Sequence, residues 1–133
     1  MTNRYAPDMM VDIHQFHSKF GLYYGGGPRE LPVQLAEFRV KFMQEELDEY
    51  GQACAQRDLE GQLDALVDLV YVAMGTAYQQ GLDFDEAWRR VHAANMKKVR
   101  AASADESKRG SSFDIVKPPG WTAPSHTDLV VQK

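Results

Sequence analysis

The chain has 133 residues, of which 44% are hydrophobic and 26% are charged, so it can form one compact domain but not two ordinary ones. Its formal net charge of −4 argues against nucleic acid or an anionic membrane as a partner, since both require a basic surface. The single cysteine excludes an intrachain disulfide, the N-terminus has no signal-peptide pattern, and no apolar stretch approaches the ~20 residues of a membrane span. We therefore expect a cytoplasmic protein.

Hydrophobic periodicity predicts four helices followed by a tail. The first helix follows Asp8, a residue that can cap it, and four apolar positions recur on one side at helical spacing. These positions are Met10, Ile13, Phe16 (or His17) and Phe20. The glycine run at 25–27 and Pro28 then break the chain. No strand precedes this run and no Gly-Lys-Ser/Thr follows it, so it is interpreted as a linker and not a phosphate-binding loop.

Three further helices are predicted after the linker. The second begins near residues 31–32, where a proline suits the first turn, and ends near Gln56. Asp58 can cap the third, which continues to about residue 77. Asp83 and Glu86 are spaced as in a capping box for a fourth helix, which is predicted to end near Arg100.

The remaining residues are predicted to form an extended tail. From residue 101 the composition turns to Ser, Lys, Arg, Gly and Pro, which is typical of a segment that stays mobile unless something docks it. No strand-like alternation is present. We therefore predict an all-α fold, a four-to-five-helix bundle forming a single domain over residues 1–133, with its core at about 9–100 and its tail at 101–133.

Acidic residues continue the apolar side of the second helix. Advancing about 100° per residue places six residues within an arc of about 100°: Leu35, Phe38, Phe42, Glu45, Glu46 and Glu49. Asp48 points elsewhere, as a solvent-facing acid should. The three glutamates therefore extend a stripe that is expected to be buried.

The third helix is expected to bury two further acids. Residues 63–74 are apolar on every side except at Asp64 and Asp68, which are four residues apart and share a face. A helix of this kind is expected to be buried, and a buried carboxylate without compensation costs about several kcal/mol. Magnesium with oxygen ligands is the compensation that suits a site shared with phosphates. A solvated acidic groove or a network with arginines and lysines of the fourth helix is the alternative.

Three segments of the chain carry a resemblance to a known superfamily. Segments 45–49 and 64–71, with 91–98 downstream, resemble the signature of the all-α nucleoside-triphosphate pyrophosphohydrolases. These include MazG-like proteins, dimeric dUTPases and phosphoribosyl-ATP pyrophosphohydrolase, and the resemblance extends over about residues 9–121. The family usually has Glu three residues before the final Asp, where this chain has Ala65. Asp64 is interpreted as the replacement.

The resemblance implies a reaction and a cofactor. It implies hydrolysis of a (deoxy)nucleoside triphosphate between the α- and β-phosphates, with Mg²⁺ or in its place Mn²⁺, in a homodimer or homotetramer. The role that we expect for this activity is house-cleaning or balancing of the nucleotide pool. Glu46, Glu49 and Asp68 would ligate the metal with help from Asp64. Glu45 would be the catalytic base that takes the proton of the attacking water.

Substrate contacts are predicted on both sides of this acidic centre. A triphosphate needs cations beyond the metal, and Lys98 and Arg109 are the preferred pair. Further basic candidates are Lys97, Lys108 and Lys117. Asn95 lies between Val91 and Val99 at helical spacing and could bind a base edge or a metal water, or only satisfy a buried hydrogen bond. Phe16 and Phe20 of the first helix are candidates for packing against the base.

Three alternatives remain open at the level of sequence. The first is phosphoribosyl-ATP pyrophosphohydrolase activity, which is the same chemistry on a different nucleotide. The second is a di-iron carboxylate bundle, which is disfavoured because no His lies three residues after Glu45, Glu46 or Glu49. The third is a non-enzymatic helical interaction module whose acids line a solvated groove.

Overall fold

The computed structural model describes residues 8–132. Residues 1–7, where no signal-peptide pattern was found, and Lys133 lie outside this range. The described residues form two compact units. Unit 1 consists of the described residues of Met1–Phe84 and Val130–Lys133, and unit 2 is Asp85–Leu129.

Four α-helices account for most of the regular structure of the described residues, which confirms the predicted all-α class. They are α1 (Met9–Lys19), α2 (Val33–Ala55), α3 (Leu59–Gln79) and α4 (Phe84–Asn95). Within the described residues, no helix is long and apolar enough to cross a membrane.

The starts of α1 and α3 follow the predicted capping residues. The side chain of Asp8 accepts a hydrogen bond from the Val11 N–H at 3.2 Å, and Asp58 accepts one from the Gly61 N–H at 2.9 Å. Each bond satisfies a backbone donor that the first turn of a helix leaves free. Pro32 was predicted to lie in the first turn of α2. It occupies the N-cap position instead, one residue before the helix begins at Val33.

Unit 1 is built on a hairpin of α2 and α3, with α1 packed against α3. The connection at 56–58 is short, so the two helices are antiparallel neighbours. Arg57 closes the turn with a φ of 56°, in the left-handed region. The buried apolar side chains are mostly small, and they lie on all three helices: Ile13, Ala53, Ala65, Val72, Met74 and Ala77.

A buried arginine joins α2 to α3 inside this hairpin. Arg39 donates from Nε to the Thr76 hydroxyl at 2.9 Å and from Nη2 to the Val72 carbonyl at 2.8 Å. Burial lowers the pKa of Arg39. Gly75 makes room for this contact, because a Cβ there would lie 2.7 Å from Arg39 Nη2 and 3.0 Å from Cε1 of the buried His17.

Unit 2 corrects two sequence-based predictions. Helix α4 ends at Asn95, five residues before the predicted Arg100, because the N–H groups of Lys97 and Lys98 turn back to carbonyls only three residues earlier. Residues beyond it form a short antiparallel ribbon of β1 (Val99–Arg100) and β2 (Ile115–Val116). Strands of two residues are too short to show alternation, so the prediction of no strand was wrong at this point.

The tail is folded back at Asp114 and is not extended throughout. This carboxylate accepts from the Ser107 hydroxyl at 2.6 Å, from Arg109 Nη1 at 2.7 Å and from the Ile115 N–H at 2.9 Å. The hydrogen bonds from Ser107 and Arg109 hold the pKa of Asp114 below its usual value. Two short 3₁₀ turns, Ala104–Glu106 and Thr127–Leu129, complete this unit.

The close approach at Gly75 makes a testable prediction about stability. Gly75→Ala should destabilise the protein by about 1–3 kcal/mol, since the added methyl group must displace Arg39 or His17. Thermal or urea unfolding measures the change. Gly51→Ala is the matched control: it also adds a methyl group within a helix, but nothing lies within 4 Å of the new atom. It should stabilise by up to about 1 kcal/mol, and equal effects of both substitutions would contradict the packing argument.

Candidate active site

Three carboxylates from two helices converge in unit 1. Glu46 and Glu49 lie on α2 and Asp68 lies on α3, and one oxygen from each falls within 4.8 Å of the others. Glu46 and Glu49 are three residues apart and therefore lie on the same side of α2. The hairpin of α2 and α3 supplies the third carboxylate.

Helical spacing explains why these acids meet. The buried residues of α2 are Arg39, Glu46 and Ala53, which recur every seven residues and share one face. Arg39 contacts Val72 on the antiparallel α3, and Asp68 lies one turn before Val72. Glu46 lies two turns after Arg39 on α2. Because α3 runs in the opposite direction, Glu46 faces the part of α3 that precedes Val72, and this part contains Asp68.

The five predicted acids differ in burial. Glu46 is only 8% exposed and Asp68 is partly buried, whereas Glu45, Glu49 and Asp64 are exposed. Phe38 is also 57% exposed, so the buried face of α2 is narrower than the stripe predicted from the sequence. The prediction that the whole stripe is buried was therefore wrong at its edges, because α3 alone covers less than the predicted arc of the α2 surface.

The environment of Glu46 disfavours its negative charge. Burial, a side-chain hydrogen bond with Glu49, and the charges of Glu49, Asp68 and Glu45 together raise the pKa of Glu46 to about 7. Burial, followed by the charges of Asp64 and Glu49, also raises the pKa of Asp68. Like charges held close together and partly out of water account for both shifts.

No arginine or lysine in the described residues forms an ion pair with these acids. The four ion pairs join Glu86 to Arg89 and Arg90, Asp128 to Arg90, and Asp114 to Arg109. The arginines of α4 are thus engaged within unit 2. The salt-bridge network considered as an alternative for the five acids is therefore not present in the described chain.

The donor set fits a hard divalent cation. Oε2 of Glu46 is buried and has no hydrogen-bond partner in the described structure, and it belongs to the group of three carboxylates. Carboxylate oxygens are the ligands that magnesium prefers, and three protein ligands leave coordination positions for water or phosphate oxygens. Asp64 and Glu45 lie outside the 4.8 Å group, although their charges act on Asp68 and Glu46.

Aromatic side chains adjoin the acids along α3. The ring of Phe16 on α1 contacts Tyr71 at 5.4 Å and Phe20 at 4.9 Å between ring centroids. Tyr71 follows Asp68 by three residues, about one turn. Phe16 and Phe20 are 40% and 56% exposed, so their faces remain accessible. The two predicted base-packing residues therefore contact each other, and Phe16 also contacts Tyr71 of α3.

Sequence reasoning missed Arg39 as a residue of this region. The signal that could have identified Arg39 is its place in a seven-residue repeat, seven residues before Glu46 and fourteen before Ala53. The two histidines of α1, His14 and His17, have partners within unit 1. Nδ1 of His17 bonds the Ile13 carbonyl at 2.7 Å, and Nδ1 of His14 lies 3.2 Å from the Tyr78 hydroxyl.

The remaining predicted substrate contacts lie in unit 2. Lys98, Lys108, Arg109 and Lys117 line one groove, and Lys97 lines a second one with Trp121. Arg109 is already paired with Asp114 at 2.7 Å. Asn95 is exposed and is the last residue of α4, so its predicted helical alignment with Val99 was wrong.

Comparison with known proteins identifies a family. A family model described as phosphoribosyl-ATP pyrophosphohydrolase matches residues 13–95, which is more than half of the chain. The matched range contains all five acids, Phe16, Phe20 and Asn95. Among curated proteins, none matches the chain.

The raised pKa of Glu46 predicts an unusual dependence of stability on pH. Because folding raises this pKa from 4.5 to about 7, the folded state holds a proton that the unfolded state releases. The metal-free protein should therefore lose stability as the pH rises from about 4.5 to 7. Glu46→Gln removes the charge, so above pH 7 its melting temperature should exceed that of the wild type by about 2–5 °C.

Thermal unfolding in the presence of a chelator, at several pH values, measures this difference. The two proteins should converge near pH 4.5. Asp48→Asn is the control, since Asp48 is exposed, accepts from Gln44 at 2.9 Å and lies off the acidic face. A Glu46→Gln variant less stable than the wild type at every pH would refute the assignment of a repulsive carboxylate group.

Proposed function

This chain belongs to the phosphoribosyl-ATP pyrophosphohydrolase family, within the all-α nucleoside-triphosphate pyrophosphohydrolases, and from that membership we propose that it hydrolyses a nucleotide triphosphate chain between its α- and β-phosphates. The products are a nucleoside monophosphate, or its phosphoribosyl derivative, and pyrophosphate. The observation that carries this proposal is the carboxylate group of the buried Glu46, the partly buried Asp68 and the exposed Glu49, which has no described cationic side chain to compensate it.

The metal-binding residues in this proposal are Glu46, Glu49 and Asp68, with Asp64 in support. When bound there, Mg²⁺ or Mn²⁺ compensates the charge of the phosphates and makes a water more acidic. Glu46 contributes most to selectivity for a cation, since burial makes its uncompensated charge costly. Asp64 adds negative charge beside Asp68 from an exposed position.

Glu45 is the proposed general base. It adjoins Glu46 in sequence, its charge contributes to the raised pKa of Glu46, and its side chain is exposed to water. A carboxylate in this position can accept the proton of the attacking water without being a metal ligand itself. The two neighbouring glutamates would thus differ in role because one faces α3 and the other faces solvent.

The aromatic and basic residues are proposed to bind the rest of the substrate. Phe16 and Phe20 offer exposed rings against which a base can pack. The further contacts proposed from the sequence for phosphate, with one amide, are in unit 2: Lys97, Lys98, Arg109, Lys117 and Asn95. Two substrates fit this chemistry, a (deoxy)nucleoside triphosphate of the nucleotide pool and phosphoribosyl-ATP, and the description of the matching family favours the second.

The activity is tested by removing single carboxylates without changing side-chain size. Glu49→Gln and Asp68→Asn should each lower pyrophosphate release roughly 100-fold or more, because each removes a metal ligand. Asp48→Asn should retain wild-type turnover. Glu45→Gln should lower kcat while the Mg²⁺ concentration needed for half-maximal rate stays the same.

The measurement is pyrophosphate release with Mg²⁺ or Mn²⁺ from phosphoribosyl-ATP and from a panel of ribo- and deoxynucleoside triphosphates. The panel identifies the substrate by its kcat/KM. Activity that survives in the double variant Glu49→Gln, Asp68→Asn would refute this site.

We also propose that a second copy of the chain covers an exposed apolar stripe on α3. Five side chains that are 45–77% exposed lie within an arc of about 100° on this helix: Leu59, Leu63, Leu66, Val67 and Val70. The sequence pattern predicted that α3 would be buried on all sides, and a homodimer or homotetramer would supply the missing cover. Asp64 lies outside this stripe, about 60° beyond Val67 around the helix.

Disrupting the stripe should dissociate the assembly. The double variant Leu63→Asp, Val67→Asp should sediment as a folded species of about 15.0 kDa, whereas the wild type should sediment at two or four times that mass. Val11→Asp, at an exposed position of α1, is the control and should leave the mass unchanged. A monomeric wild-type protein would contradict the proposal.

A further inference from the structure

Two lysines stand opposite each other at the end of the ribbon in unit 2. Lys98 directly precedes β1 and Lys117 directly follows β2. The antiparallel register pairs Val99 with Val116, so the next pair outward is Lys98 with Lys117. Like charges directly opposite each other on a ribbon destabilise it, so this arrangement needs a compensating contact.

Trp121 provides that contact. Nζ of Lys98 lies 5.0 Å from the centroid of the Trp121 ring and Nζ of Lys117 lies 5.2 Å from it. Both distances are within the range in which an ammonium group is attracted to an indole face. This interaction leaves the three N–H donors of each lysine available for an anion.

The indole is itself held in place by the backbone. Its Nε1 donates to the carbonyl of Ala94 at 2.7 Å, next to the last residue of α4. The Trp121 N–H bonds the Pro118 carbonyl at 3.1 Å, in a turn where Gly120 has a φ of 81°. The ring is therefore anchored to the helix on one side while it contacts both lysines.

The groove beside these lysines carries an excess of positive charge. Two acids line it as well, but both have other partners. Glu106 accepts from the Ala102 N–H at 2.8 Å, and Asp114 is held by Ser107 and Arg109. The lysines that line the groove, Lys98, Lys108 and Lys117, have no ion pair with a described residue.

We propose that this groove binds a condensed phosphate and that Trp121 is a positioning residue, which holds the ammonium groups of Lys98 and Lys117 together against their repulsion. The preorganised pair can then bind two adjacent phosphates without the cost of bringing the lysines together. The affinity of the groove for a condensed phosphate does not depend on the proposed function.

The test compares two substitutions of Trp121. Isothermal titration calorimetry with inorganic pyrophosphate, in the presence of a chelator, measures binding to the groove without the metal site. Trp121→Leu should weaken pyrophosphate binding roughly tenfold, and Trp121→Phe should recover part of that loss because the ring face remains. Lys98→Gln with Lys117→Gln should weaken binding at least as much without changing Trp121. Lys41→Gln, an exposed lysine of unit 1, is the charge-matched control and should have no effect.

Equal effects of Trp121→Leu and Trp121→Phe on pyrophosphate binding would refute the role of the ring face. Unchanged pyrophosphate binding in the double lysine variant would refute the site itself. Failure of the proposed activity is distinguishable, because pyrophosphate binding to the groove should persist in Glu49→Gln.

Discussion

Burial of the Glu46 carboxylate between α2 and α3 is the constraint on which the site depends. Arg39, Glu46 and Ala53 are the buried positions of α2, so this helix cannot pack against α3 without enclosing an acid. Burial and the neighbouring acids raise the pKa of Glu46 to about 7. The helix contact that builds unit 1 therefore also creates a carboxylate group that a cation would complement.

Arg39 sets which residues of α3 meet these acids. Its bonds to the Val72 carbonyl and the Thr76 hydroxyl fix α2 along the axis of α3. A shift by one helical turn, about 5.4 Å, would move Asp68 away from Glu46 and Glu49. The absence of a side chain at Gly75 permits this contact, so a glycine in the middle of a helix supports the geometry of the acids from a distance.

Unit 2 brings two lysines close together, as unit 1 brings three carboxylates close together. Lys98 and Lys117 are far apart along the chain, and the two-residue strands between them bring them to opposite positions. Trp121 uses both of its chemical properties, with the N–H bonded to Ala94 and the ring face turned to the lysines. The carboxylates of unit 1 and the lysines of unit 2 are thus each brought together by contacts within their own unit.

The sequence by itself determined the all-α class, the capping of α1 and α3 by Asp8 and Asp58, and the sharing of one helix face by Glu46 and Glu49. These features depend on spacing within one helix, which periodicity records directly. The tertiary structure alone decided that Arg39 bonds α3, that Glu46 is buried while Glu45 is exposed, that α4 stops at Asn95, and that Lys98 faces Lys117. Each of these depends on contacts between segments distant in the chain, and a pattern of local residues contains no information about which distant surface will cover it.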